Sequence, residues 1–211
     1  LHLSLRRQRQ MCIRDSLKYT RDVYYIGNQE MARVRKGEIT FYNLDGDEIE
    51  KELKTVEWDA EAAEKAGYEH FMIKEIHEQP KAVSDTLNSV VKDGAIDLSE
   101  VGLSEEEIKE ISQIYIVACG SAYHVGVAAQ YVMEDLARIP VRVELASEFR
   151  YRNPILDPKG LVIIISQSGE TADSLAALRE SKKQGVKTLG IVNVIGSSIA
   201  READNVFYTL A

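Results

Sequence analysis

The stretch Leu161–Ala177, LVIIISQSGETADSLAA, constrains the fold more than any other part of the chain. Its first five residues, Leu161 to Ile165, are continuous, apolar and mostly β-branched. A run this short cannot cross a membrane, and without polar alternation it reads as a strand buried on both faces of a parallel sheet. Helical spacing takes over from Thr171. Between strand and helix lie Ser166, Gln167, Ser168, Gly169, Glu170 and Thr171, which supply three hydroxyls, an amide and a glycine. A helix N-terminus presents N–H groups without intrahelical partners and the positive end of a dipole, so a hydroxyl-rich loop there suits a bound phosphate. Ser and Thr before a helix are also ordinary caps and Gly is ordinary turn chemistry; the local pattern fits both readings.

The alternation continues on either side. Ile114–Ala118, Val141–Ala146, Leu161–Ile165, Leu189–Val194 and Val206–Leu210 read as strands. Helices are expected over Ser121–Ala137, with Val125, Ala128, Ala129, Val132 and Leu136 on one apolar face, over Thr171–Gln184, and from a Ser197 or Ser198 cap to Ala203. This order predicts an α/β fold, a doubly wound parallel sheet flanked by helices. In such sheets ligands bind beyond the carboxyl ends of strands, where strand order changes. Two strand ends carry polar loops, Cys119–Tyr123 and Ser166–Thr171. Together they offer hydroxyls and amide N–H groups, which suits a phosphorylated sugar better than a nucleotide.

Other chemistries fit less well. A nucleophile elbow needs glycine two residues before the serine, where Ser166 stands ahead of Ser168. Neither a P-loop Gly-Lys-Ser/Thr nor the dinucleotide fingerprint is present. The formal net charge of −8 argues against nucleic-acid or anionic-membrane partners. Two cysteines, Cys12 and Cys119, make neither a disulfide framework nor a zinc site, and a reducing, cytoplasmic setting is expected. Cys119 reads as a small core residue at a strand end. His70 and His77 share a helix face but lack a third ligand, His124 reads as structural or subunit-contacting, and Glu75 and Glu78 as a solvated face. No metal and no cofactor are expected.

Residues 1–16 (LHLSLRRQRQMCIRDS) are basic and aperiodic, unlike the acidic remainder, and read as a non-native artefact or else a disordered arm. Residues 17–58 have short β-like runs at Val23–Ile26, Met31–Val34 and Ile39–Leu44, an Asp45-Gly46 type I′ turn signal, and a return strand over Glu48–Val56. Such a meander cannot be stable alone and is expected to be the tail of a larger domain. Residues 59–104 form a linker and a helical entry segment, with a helix broken or kinked at Pro80 and loop from Asp93 to Gly102. Ser104 and Glu107 form a capping box.

IYIVACGSAYHVG, ELASEFRYR, IISQSGETADSLAALR and VNVIGSSIAREAD resemble the first sugar-isomerase (SIS) module of the glutamine:fructose-6-phosphate aminotransferase family, the glucosamine-6-phosphate synthases. HFMIKEIHEQP is similar to that family's entry into its isomerase half, and TRDVYYIGNQEMARVRKGEITFYNLDG to the end of its glutaminase half. The resemblance covers nearly all of residues 17–211. It implies a truncated SIS domain over 105–211 behind a glutaminase remnant. It also implies a chain that keeps part of the sugar-phosphate site and lacks the glutaminase nucleophile and the isomerase acid–base groups. Gly120, Ser121, Ser166, Gln167, Ser168 and Thr171 match the sugar-phosphate positions, while Ala122 stands where many members have serine. Implied partners are fructose 6-phosphate or a related sugar phosphate, glutamine through the missing domain, and a second copy as a homodimer. The alternative is a non-catalytic phosphosugar-sensing SIS module.

Overall fold

The computed structural model describes residues 19–55 and 65–211, which fall into two compact units divided at Glu75/Ile76. The expectations for residues 1–16 and for most of the linker after Trp58 lie outside the described residues.

The first unit is antiparallel. β1 (Asp22–Val23) pairs with β5 (Lys54–Thr55), and β2 (Met31–Arg35), β3 (Glu38–Tyr42) and β4 (Glu48–Ile49) form a three-stranded sheet. Phe41 is the one buried hydrophobic side chain among its described residues, with Tyr24 at 4.9 Å between ring centroids. The expected type I′ turn at Asp45-Gly46 is not what forms. Only Gly46 has positive φ, and Asn43 exchanges hydrogen bonds with Gly46 and Asp47, so the loop is three residues long with glycine in the left-handed position.

Helix α1 (Phe71–Asn88) runs through Pro80, so the expected break is absent; proline removes one ladder bond there without ending the helix. The segment expected to be loop contains a hairpin of β6 (Val91–Lys92) and β7 (Ala95–Ile96). Lys92 pairs with Ala95 across just Asp93 and Gly94, and both have positive φ, as a type I′ turn requires. The Asp-Gly signal thus operates here and not at 45–46. Spacing between the paired residues decides. After a 3-10 turn at Ser99–Val101, α2 (Glu105–Glu110) starts on the expected capping box, with Glu107 N–H donating to Ser104 Oγ and Ser104 N–H donating to Glu107 Oε2.

The rest is the predicted doubly wound sheet: β8 (Gln113–Ala118), α3 (Ser121–Ala137), β9 (Val141–Leu145), α4 (Ala146–Tyr151), β10 (Gly160–Ser166), α5 (Ala172–Lys183), β11 (Lys187–Val192), α6 (Ser198–Glu202) and β12 (Asn205–Tyr208). The strands lie in the order β12-β11-β10-β8-β9, all parallel. Side chains alternate across the sheet as a two-residue period requires. Val162 and Ile164 of β10 join Tyr115 and Val117 of β8 under α4, α5 and α6; Leu161 and Ile163 join Ile114 and Ile116 on the opposite face, with Ala129 and Met133 of α3. Each fully buried aliphatic side chain contributes roughly 1.5–3 kcal/mol relative to exposure.

Two expectations need correction. Ala146 does not end a strand but opens α4, a helix absent from the sequence reading. Most of the α3 face expected to be buried is outward: Val125 and Val132 are both 57% exposed and Leu136 78%; of that face Ala129 packs inward, beside Gly126 and Met133. The reason lies in Gly126, where a Cβ would come within 2.8 Å of Ile116 Cγ2 and 3.0 Å of Val143 Cγ1. The helix packs closest where it has least side chain.

Glu107 also accepts from Lys187 at the start of β11, tying α2 to the sheet. This bond, then those from Ser104 N–H and Oγ, hold the Glu107 carboxyl at about 2, below its ordinary 4.5. A depressed carboxyl contributes stability present above its unfolded pKa and lost as pH falls toward the folded one. The melting-temperature advantage of the wild type over Glu107→Gln is therefore expected to hold above about pH 4.5 and shrink on acidification toward pH 2. A difference constant across that window would refute the assignment.

Candidate functional site

The sheet order places the site. β8 is the first of the five strands in sequence; the chain passes from it to β9 on one side, then crosses to β10 on the other. The carboxyl ends of β8 and β10 therefore flank the point where winding reverses, the place where open α/β sheets bind ligands. Ala118 and Ile165 are register partners there, so the loops after them leave the same edge side by side. Each loop feeds a helix. The two groups of residues singled out from sequence are brought together by strand pairing.

On the β8 side, Gly120 holds the N-cap position of α3 with φ 56° and ψ −132°, and Ser121 is its first residue. Both are exposed. With no side chain, Gly120 offers no internal cap, and the first N–H groups of α3 face the edge of the sheet. Ala122 brings no hydroxyl.

On the β10 side, Ser166 ends the strand with its side chain buried, and its Oγ lies 3.0 Å from Thr171 Oγ1 while accepting from Gly169 N–H at 3.1 Å. Gln167 and Ser168 are exposed at the loop tip, and Ser168 Oγ accepts from Glu170 N–H at 3.3 Å. Thr171 occupies the N-cap position of α5 but makes no capping bond with its side chain. The bland reading of Thr171 as an ordinary cap is therefore not realised.

Carboxylates near the loop are drawn away from the helix end. Asp173, in the first turn of α5, accepts from Arg150 Nη1 of α4 at 3.0 Å. Glu170 Oε1 accepts from Ser198 N–H at 2.7 Å, at the start of α6. Ser197, expected as a possible cap of α6, holds the N-cap position without a side-chain bond; the capping acceptor comes from Glu170 instead. Sequence reading missed this, and also α4 as the carrier of Arg150. The only available signal was acid residues standing beside a hydroxyl loop, which by itself reads as a solvated surface.

Gly169 is the tightest point. It has φ 64°, and a Cβ there would fall 2.0 Å from Ser197 Oγ. Any side chain would force the two loops apart. Cys119 is half-buried beside the site, its Sγ 3.9 Å from Ser174 Oγ, with no base at hand, as a packing residue would be. His124 stands edge-on to Tyr123 at 5.3 Å between ring centroids. The arrangement can bind an anion through hydroxyls, backbone N–H groups and two helix ends.

Comparison with known proteins agrees with this geometry. The SIS domain family matches residues 107–211. The chain is 55% identical over 196 residues to a glutamine–fructose-6-phosphate aminotransferase (isomerizing) of Caldanaerobacter subterraneus, a match covering 92% of this chain and 32% of that protein. It is 54% identical over the same length to the protein of that name from Clostridium acetobutylicum. Among solved structures, the C-terminal domain of glucosamine-fructose-6-phosphate aminotransferase from Francisella tularensis superposes with a TM-score of 0.64 at 47% identity, covering 69% of this chain and 41% of that one. The chain thus spans about a third of the length of these curated relatives. Residues 107–211 belong to the SIS domain family, and the chain as a whole is homologous to a continuous segment of the glutamine–fructose-6-phosphate aminotransferases.

Proposed function

We propose that the parallel-sheet unit binds a sugar phosphate between its two loops, and that the chain is a segment of an enzyme making glucosamine 6-phosphate from fructose 6-phosphate and glutamine. The observation that carries the binding assignment is the start of α5, where Thr171 leaves the helix uncapped and its hydroxyl lies 3.0 Å from Ser166 Oγ. Ser166, Ser168 and Thr171 then hold the phosphate, with the N-terminal N–H groups of α5. Gly120, Ser121 and Gln167 line the sugar side. A dianion at that helix end gains the dipole as well as the hydroxyls.

The wider assignment is supported by the relatives' match, which continues through the antiparallel unit. On this reading residues 17–58 end a glutaminase domain, 59–104 form the linker and entry helix, 105–211 form the first SIS domain, and residues 1–16 are foreign to it. The whole protein is a cytoplasmic homodimer, with glutamine handled by the domain preceding residue 17. A non-catalytic phosphosugar sensor is the second reading; the match of the antiparallel unit to the aminotransferases favours the enzyme. No helix among the described residues is long and apolar enough to cross a membrane.

Hydroxyls and amides hold an anion but do not transfer an amino group, which needs an activated nucleophile and acid–base groups. The 211-residue chain is therefore expected to bind fructose 6-phosphate and to release no glucosamine 6-phosphate when glutamine is added. Product in a direct assay would overturn this division.

Hydrogen bonds to charged groups are worth roughly 1.5–3 kcal/mol each. Ser168→Ala and Thr171→Ala are thus expected to weaken fructose 6-phosphate binding by about one to two decades, with unphosphorylated fructose bound far more weakly than its phosphate. Simple caps would behave otherwise, lowering melting temperature while leaving calorimetric affinity at the wild-type level. That result, or fructose binding as well as its phosphate, would exclude the cradle.

A further inference from the structure

The stretch after β11, Asn193–Ile199, which ends in the first residues of α6, contributes no residue to the proposed cradle, yet it holds the cradle loop at three points. Asn193 N–H donates to Gln167 O at 3.1 Å, Ile199 N–H donates to Gly169 O at 3.0 Å, and Ser198 N–H donates to Glu170 Oε1 at 2.7 Å. Between these bonds the buried Ser197 Oγ, without a hydrogen-bond partner among the described residues, sits against the bare face of Gly169. The loop therefore has one wall of its own, the Ser166–Thr171 hydroxyl pair, and a second wall supplied from β11 and α6.

From this we propose that Glu170 is a positioning residue, which latches the cradle loop to α6 and so sets phosphosugar affinity without touching the ligand. The inference rests on the cradle reading above. Two features point to a latch. First, two of the three bonds fall on adjacent residues, Gly169 and Glu170, so the backbone that turns toward Thr171 is fixed by α6 as well as by the Ser166 hydroxyl that accepts from Gly169 N–H. Second, Glu170 is an acid beside a proposed anion site, where a free carboxylate opposes binding. Bonding to the N–H at the head of α6 places that charge on another helix's positive end.

The latch needs an acceptor oxygen, not a charge, which makes it separable from electrostatics. In the 211-residue chain, Glu170→Ala is expected to weaken fructose 6-phosphate binding about tenfold, whereas Glu170→Gln, whose amide oxygen can still accept from Ser198, stays within about threefold of wild type. Amide hydrogen exchange supplies a readout independent of ligand: the Ile199 and Ser198 amides are expected to exchange at least about tenfold faster in Glu170→Ala and at the wild-type rate in Glu170→Gln. Unchanged exchange in the alanine variant overturns the latch. So does faster exchange with wild-type affinity, which would make the contact merely structural, or a glutamine variant as weak as alanine, which would make charge the operative term. If the wild type binds no phosphosugar, the cradle reading falls, and exchange alone decides whether the loop is latched.

Discussion

The pairing of β8 with β10 is the constraint on which the site depends. Six residue pairs, from Gln113–Gly160 to Ala118–Ile165, run in parallel register through the middle of the sheet. A slip by one residue would send Tyr115 and Val117 to the face opposite Val162 and Ile164, splitting the core they share. The register is fixed at the entry of β10. There Asp157 N–H donates to the Tyr115 hydroxyl at 3.0 Å, that hydroxyl donates to Gln113 Oε1, and Ser112 N–H donates to Lys159 O. Gly160 fits because a Cβ would press within 2.9 Å of both the Tyr115 ring and Asp157 O. Fixing one end of a straight ladder fixes the other, and the other end is where both polar loops begin.

What could be read from sequence follows from how local each signal is. Leu161–Ile165 is apolar at every position because it is central and covered on both faces, and with the alternation of strands and helices around it that marked the sheet as parallel. The hydroxyl loop was legible for the same reason: strand, loop and helix are contiguous, so their juxtaposition needs no tertiary information. The α4 helix was not legible. Six residues carry too little period, and the core Ala146 and Phe149 join is built largely from residues far along the chain, in β8, β10 and α5. On α3 the apolar positions share one face, but of them Val125, Val132 and Leu136 point outward while Ala129 packs inward, because a glycine's power to draw a helix onto a sheet is invisible to hydrophobic counting. The two Asp-Gly pairs make the same point. Identical dipeptides give different turns at 45–46 and 93–94, because the separation of the paired strand residues differs.

The electrostatics at the start of α5 bear on the choice between a helix that is merely capped and one that receives a ligand. Acid side chains in the first turn ordinarily stabilise a helix by neutralising its positive end. Here two carboxylates stand close enough in sequence to do so, Glu170 and Asp173, and each is engaged by a donor outside α5. Arg150 takes Asp173 and the head of α6 takes Glu170, while Thr171 turns its hydroxyl to Ser166 instead of to its own helix. A sequence arranged only for helix stability would direct at least one of these three oxygens at the helix N–H groups. All three instead have partners outside the α5 backbone, which is the pattern the proposed phosphate cradle calls for.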